Sequence, residues 1–307
     1  MVYFLFVNNK NYFCAKIIRI HTKRRNDDAM CMASLAMGAS KGEDPATPPK
    51  EILALLHDHA PLAPTKVFDN LYCIGTKSVV AWALKTSEGI VLIDSMWNDE
   101  DAKLIEKGLR LYGLSPKDIK LIIITHGHGD HYGGANYLAK KYGAKVLMSQ
   151  KDTEFMLSYN VGPNAPEYPK PKIDQYLKDG EKITLGDTQI ISVETPGHTV
   201  GGISLIFPVK YQGKNYEAML WGGTGIPNDK NLQKAYKASL DKFEKYAKEY
   251  NVSVELTAHL FQDNGYSRLK SVYNESFEGT HPFIVGKKKI EEFFATYKKM
   301  VDEKLKN

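Results

Sequence analysis

Cysteine is scarce in this chain of 307 residues: Cys14, Cys31 and Cys73 are odd in number and form no C-x-x-C pair. That scarcity argues against a disulfide framework and against a thiolate metal site. Long apolar runs are missing as well. No stretch reaches the roughly 18 residues that a membrane-spanning helix needs. A charge excess of one sign is confined to one end. The net charge is +5, yet residues 1–50 carry 8 Lys/Arg against 4 Asp/Glu, and the other 257 residues carry 33 against 32. The body is therefore nearly neutral and lacks the basic footprint of a nucleic-acid partner. No internal period of roughly 20 to 50 residues marks a solenoid. What remains, 43% hydrophobic and 25% charged, is the composition of a globular chain long enough to bury a sizeable core.

Residues 1–50 stand apart from residues 51–307, which read as a single domain. The arm runs from a short apolar start through the basic Lys23, Arg24 and Arg25 to a small, Met-rich stretch, Ala29 to Ser40. That order is signal-like and would make the protein an exported one; otherwise it is cytoplasmic. Asp27 and Asp28 interrupt the join, and the pattern begins only after about 25 residues, so an upstream extension from a mis-chosen start is the alternative. Residues 41–50 read as a Pro-rich linker.

The body begins with strand-like runs at Val67 to Gly75, Ser78 to Thr86 and Gly89 to Asp94. Ala102, Ile105, Leu109 and Tyr112 recur at helical spacing. Ile119 to Thr125 is a continuous apolar run, as expected of a strand buried on both faces. A helix from about Gly134 to Tyr142 and a strand at Lys145 to Ser149 follow. Further strands are expected at 181–185, 189–194, 202–207, 216–221 and 252–257. Apolar stripes from Leu232 to Tyr250 and from Ile290 to Leu305 predict two core-facing helices. Two strand-rich halves, each with helices, imply two sheets packed face to face with helices outside.

The chemistry concentrates in His126-Gly127-His128-Gly129-Asp130-His131, directly after the apolar run. On a helix, residues 126 and 128 would point about 200° apart, so the cluster is expected to be a loop at a strand's end. A polar turn accounts for one or two such histidines. Three with an aspartate, in a chain of nine histidines, favour a metal. Imidazole and carboxylate ligands suit zinc best, with Fe, Mn and Co also compatible. His198, in Thr195-Pro196-Gly197-His198, and His259, after Val254 to Ala258, also stand at strand exits. Together the three positions suggest one convergent centre. A pair of cations there would bring the pKa of a shared water near neutrality, giving a hydroxide nucleophile, with Asp130 as the catalytic carboxylate that orients or relays its proton.

These residues resemble the metallo-β-lactamase superfamily, whose hallmark is H-x-H-x-D-H followed by two distant histidines. Val91-Leu92-Ile93-Asp94-Ser95-Met96-Trp97 and Thr195 to Gly202 extend the resemblance, which covers most of 67–259. It implies an α/β fold, an αββα sandwich of two mixed sheets, with two zinc ions at the sheet edges. One would be held by His126, His128 and His198, the other by Asp130, His131 and His259. That set is similar to subclass B3, which uses no cysteine ligand. Many other hydrolases of the superfamily, thioesterases and lactonases included, carry a metal-bridging aspartate after the strand at 216–221. Here Leu220 to Pro227 offers neither Asp nor Cys.

The resemblance therefore implies a zinc hydrolase of a small-molecule substrate, with a β-lactam first and another ester, lactone, thioester or phosphoester as the alternative. Oligomeric state is left open. Gly223 and Thr224 fall where a substrate carboxylate would be held, yet glycines supply no side-chain donor. β-Lactam turnover is accordingly expected to be detectable but inefficient, with Gly223→Ser the gain-of-function variant. Asp94, at the end of an apolar strand, reads either as an Asx-turn residue or as a partner behind a ligand histidine. Residues 158–172, rich in Pro and Tyr, read as a substrate-contact loop or a rigid connection. His57, His59 and His281 fall outside the motif and read as surface or core histidines.

Overall fold

The computed structural model describes residues 50–158 and 168–306. The arm with Cys14 and Cys31, and the centre of the Pro/Tyr-rich segment at 159–167, lie outside the described residues.

The first half opens with α1 (Lys50–Leu56) and a meander of β1 (Thr65–Phe68), β2 (Leu71–Gly75), β3 (Val80–Thr86) and β4 (Gly89–Ile93). It then alternates α2 (Asp99–Leu111), β5 (Ile119–Ile123), α3 (Gly129–Tyr132), α4 (Ala135–Tyr142), β6 (Lys145–Ser149), α5 (Gln150–Ser158) and β7 (Gln175–Leu177). These seven strands form one sheet in sequence order, antiparallel from β1 to β4 and parallel from β4 to β7. The second half supplies β8 (Glu181–Leu185), β9 (Thr188–Glu194), β10 (Ile203–Tyr211), β11 (Lys214–Leu220), α6 (Lys230–Glu249), β12 (Val254–Leu256), α7 (Gly265–Tyr273) and α8 (Gly286–Lys306). Its five strands are ordered β12-β11-β10-β9-β8, with β12 the one parallel member.

Local chemistry explains the helices. Asn98 caps α2 by accepting from Glu100 N and Asp101 N, and three acids occupy its first turn, where the helix dipole favours negative charge. Ala102, Ile105 and Leu109 then present the apolar stripe. Asp229 caps α6 in the same way. The stripe of α6 (Tyr236, Leu240, Phe243, Ala247) meets that of α8 (Ile290, Phe294, Tyr297, Val301) over the second sheet. α2 and α4 cover the first sheet with Ile105, Leu109 and Leu138. Between the sheets lie Phe68, Trp82, Leu84, Leu205, Phe207 and Phe283, all fully buried. Each such side chain contributes about 1.5 to 3 kcal/mol through burial. The architecture is the four-layer αββα sandwich expected.

Several boundaries differ from the expected ones. The run 67–75 is two strands, because Asp69 and Asn70 turn the chain and Asn70 exchanges hydrogen bonds with β10 (Lys210 N to Asn70 Oδ1, 2.8 Å). The residues 129–132 are a one-turn helix, so only His126 and His128 of the histidine cluster lie on a loop. Helices α1, α5 and α7 and strand β7 had no counterpart in the sequence pattern. Cys73 lies in β2, and burial pushes its thiol far above the usual range, which makes it an inert core residue. Among the described residues, no helix is long and apolar enough to cross a membrane.

Candidate metal centre

The ligand candidates emerge at one edge, where the two sheets are hydrogen-bonded to each other. Ile203 N, at the start of β10, donates to Thr125 O, just after β5 (2.8 Å). Val80 N of β3 donates to Ala258 O, just after β12 (2.9 Å), and Trp82 Nε1 donates to Thr257 O (2.9 Å). The exits carrying His126, His198 and His259 are thereby fixed relative to one another.

Two groups of three side chains form there. His126, His128 and His198 offer ligand atoms all within 4.8 Å of one another, and so do Asp130, His131 and His259. The His126 and His131 rings lie 3.9 Å apart between centroids, so the two groups are adjacent.

Four of the five imidazoles are oriented from behind. Asp94 accepts from Thr125 N (2.8 Å) and from the Thr125 hydroxyl, and its Oδ2 takes the His131 Nδ1 proton at 2.7 Å. The Thr125 hydroxyl, having donated to Asp94, is left to accept from His126 Nδ1 at 3.2 Å. His198 Nδ1 donates to Gly225 O (2.7 Å), and His259 Nδ1 donates to Ser78 O (2.8 Å). In all four rings Nε2 is thus turned inward. His198 Nε2 faces His128 Nδ1 at 3.1 Å, and Asp130 Oδ2 lies 3.4 Å from both His131 Nε2 and His259 Nε2.

A divalent cation fits this donor set. His126 Nε2 and His131 Nε2 are buried with no hydrogen-bond partner, and a buried nitrogen left unpaired costs on the order of 1 to 3 kcal/mol. Coordination satisfies both. Burial lowers the pKa of His126 and His259, and takes His128 to about 4 and His198 to about 3, so these rings are neutral, as ligation requires. For His131 burial also opposes the charge, but Asp130 and Asp94 outweigh it and raise the pKa to about 10. Burial likewise disfavours an ionised Asp130, and His131 and His259 overcome that to hold it far below the usual carboxylate range.

The turn after β4 is strained in support of this arrangement. Asp94 and Met96 adopt φ of 59° and 63°, a left-handed conformation costing about 1 to 3 kcal/mol for each such residue. Ser95 N and Oγ both bond His131 O, at 2.8 and 3.0 Å, which ties the turn to α3. Asp94 is therefore both a turn residue and the partner of His131.

The substrate-side expectation for Gly223 needs correction. A Cβ at Gly223 would come within 2.5 Å of the His198 ring, so the glycine backs the histidine rather than facing a ligand's carboxylate. Gly223→Ser would displace His198 and is not a gain-of-function change. Thr224 uses its carbonyl to accept from Tyr236 OH at 3.1 Å. Of the Pro/Tyr-rich segment, Tyr168 packs its ring on Gly129 and lies 5.3 Å from Trp97. Exposed His57 and His59 flank Trp97, whereas His281 is buried beside Phe68 and Tyr211.

Sequence reasoning missed Thr125, Ser78 and Asp152: the first two lack a ligand's chemistry, and Asp152 stands outside the histidine motif. Asp152 left a trace: Ser149-x-x-Asp152 is a helix-start pattern, and Ser149 Oγ accepts from Asp152 N at 3.1 Å.

The αββα fold and paired His/Asp groups define the class. Residues 74–210, which include His126 through His198, match the metallo-beta-lactamase superfamily. Among solved structures, it is similar to a subclass B3 metallo-beta-lactamase of Bradyrhizobium japonicum, with a TM-score of 0.67 and 27% identity over 80% of this chain and 93% of that one. Rm3 metallo-beta-lactamase aligns with a TM-score of 0.70 and 25% identity, covering 84% and 98%. By sequence, it is 32% identical over 141 residues to a hydroxyacylglutathione hydrolase of Brucella anthropi, 44% of this chain and 48% of that protein. The match to its counterpart in Brucella ovis, 33% identical over 108 residues, covers 35% of each. The chain thus spans under half the length of these curated relatives.

Two outcomes test the geometry. Asp94→Asn keeps the shape and removes one of two negative charges beside His131. In the metal-free protein the His131 pKa then falls below about 10, which NMR titration of the ring reads; an unchanged value assigns the whole effect to Asp130. Gly223→Ala, by pressing on the His198 ring, lowers zinc content more than Gly225→Ala, where a Cβ would meet that ring at 3.1 Å. Equal zinc in the two purified variants would overturn the backing role of Gly223.

Proposed function

We propose that the protein is a zinc-dependent hydrolase with two metal sites, His126/His128/His198 and Asp130/His131/His259, acting on a β-lactam. The observation that carries the metal reading is the convergence of two three-ligand groups, in which the buried His126 Nε2 has no hydrogen-bond partner and His131 Nε2 meets only the Asp130 carboxylate at 3.4 Å. Bound zinc supplies Lewis acidity and a coordinated water acidic enough to be deprotonated near neutral pH.

The chain's own residues divide the remaining work. Asp130, held ionised by His131 and His259, is too weak a base to store a proton. Its role is to ligate and to orient the attacking water by accepting its hydrogen bond. Asp94 holds His131 in the tautomer that ligates. Phe155 packs beside His128 (5.6 Å between rings) and Phe261 beside His259 (5.4 Å), so an aromatic side chain stands next to a histidine of each ligand group.

The β-lactam reading rests on the ligand set, which resembles subclass B3 and has no Asp or Cys in Leu220 to Pro227, together with the B3 likeness. A second reading, hydrolysis of a glutathione thioester, is favoured by the sequence match to hydroxyacylglutathione hydrolases. The missing bridging aspartate counts against it.

Zinc-loaded protein assayed on a β-lactam, a lactone, a glutathione thioester and a phosphodiester separates the two. The expected result is β-lactam turnover with the highest kcat/KM, abolished by a chelator and restored by zinc. Thioester turnover without β-lactam turnover transfers the assignment to the second reading, and none with any substrate refutes both. Asp130→Asn should lower kcat by about 100-fold or more while elemental analysis finds a much smaller loss of zinc; retained activity in the zinc-replete variant would show that another group orients the water.

A further inference from the structure

Behind the His126/His128/His198 group lies a carboxylate that no ligand role explains. Asp152, in the first turn of α5, is fully buried. Its Oδ2 accepts from Gly127 N at 2.8 Å and from Thr199 Oγ1 at 2.6 Å, and its Oδ1 accepts from Gly201 N at 2.6 Å. Gly127 stands between His126 and His128, and Thr199 follows His198. One side chain therefore grips both ligand-bearing loops, which are separated by about 70 residues of chain and belong to different sheets.

The grip depends on close approach from both sides. A Cβ at Gly127 would meet Phe155 Cδ1 at 2.7 Å and Asp152 O at 2.9 Å; one at Gly201 would meet Ser149 Oγ at 2.6 Å and Asp152 N at 2.7 Å. Ser149 reinforces the contact by donating its hydroxyl to Gly201 O at 2.6 Å. All three donors to Asp152 are uncharged, so no side-chain cation shares its negative charge through these bonds.

We infer that Asp152 is a positioning residue that sets the spacing of His128 and His198 and thereby the affinity of that one three-histidine site for a divalent cation. The physical reason is specificity of geometry. A carboxylate offers acceptors only, and all three bonds here need an acceptor. An amide at the same place would turn an NH2 toward at least one donor and push one loop away from the other. The Asp130/His131/His259 group takes its orientation from Asp94 and Ser78 instead, so it lies outside the reach of Asp152.

The inference rests on the proposed metal sites, and the test is chosen to separate the two. Cobalt(II) is titrated into metal-free full-length wild type, Asp152→Asn, Asp152→Glu and Thr199→Val, with visible absorption and calorimetry as readouts and thermal melting of each metal-free protein as the control for folding. Wild type should bind two equivalents. Asp152→Asn should weaken one of them by about 10 to 100-fold and shift its ligand-field bands, leaving the other within a factor of about 3. Asp152→Glu, which keeps the acceptor, should recover part of the affinity. Thr199→Val, which removes one bond of three, should give a smaller loss at the same site and keeps the test alive if the Asn variant does not fold. Wild-type affinity and bands in both Asp152→Asn and Thr199→Val, or an equal loss at both sites, would overturn the positioning role while leaving the metal reading intact. Absence of cobalt binding by wild type would overturn both.

Discussion

The hydrogen bonds that cross between the sheets at their shared edge govern everything built upon them. Ile203 N to Thr125 O, Val80 N to Ala258 O and Trp82 Nε1 to Thr257 O join the exits of β5 and β12 to strands of the opposite sheet. Sheets packed by side chains alone slide and rotate with small cost, because the hydrophobic contact is non-directional. A hydrogen bond is not. Its length and angle tolerate only a few tenths of an ångström before it weakens. Ligand atoms from distant parts of the chain must converge to within 4.8 Å, and bonds at Thr125, Thr257 and Ala258, one or two residues from His126 and His259, provide the needed registry.

With that registry set, electrostatics becomes the dominant cost of the site. Burial drives four of the five imidazoles toward neutrality, while two carboxylates flank the fifth. Without a cation the centre is a compromise, since His131 must carry the proton that balances Asp130 and Asp94. Neutral rings with inward lone pairs on one side, and an ionised Asp130 on the other, are what a divalent cation requires. The strained turn at Asp94 and Met96 belongs to the same compromise. Its unfavourable backbone is held by bonds that also fix α3 and His131.

How much of this was readable beforehand follows from the range of each interaction. The six candidate ligands were legible because each sits at the end of an apolar run, a pattern contained within about six residues of chain. The sandwich was legible for the same reason, from strand runs and helical stripes. α5 was not, since it follows β6 without a loop and buries Asp152 and Thr153 in place of an apolar stripe. β1 and β2 merged into one run because both are apolar and the turn between them is only Asp69 and Asn70. The roles of Ser78 and Asp152, unlike that of Asp94, depend on partners 25 to 181 residues away and on no local pattern that names them. Only folding discloses them.

The misreading of Gly223 carries the same lesson into substrate recognition. Position in a motif placed it beside a ligand's carboxylate, but the packing of β11's exit against His198 leaves no room for any side chain there. The backbone after Leu220 is accordingly committed to the frame of the site: Gly223 backs His198, Gly225 O accepts from its Nδ1, and Thr224 O accepts from Tyr236 OH. Of residues 223–225, only Thr224 carries a polar side chain to offer a substrate carboxylate. On that argument, changes at Gly223 and Gly225 reach His198 before they reach a substrate.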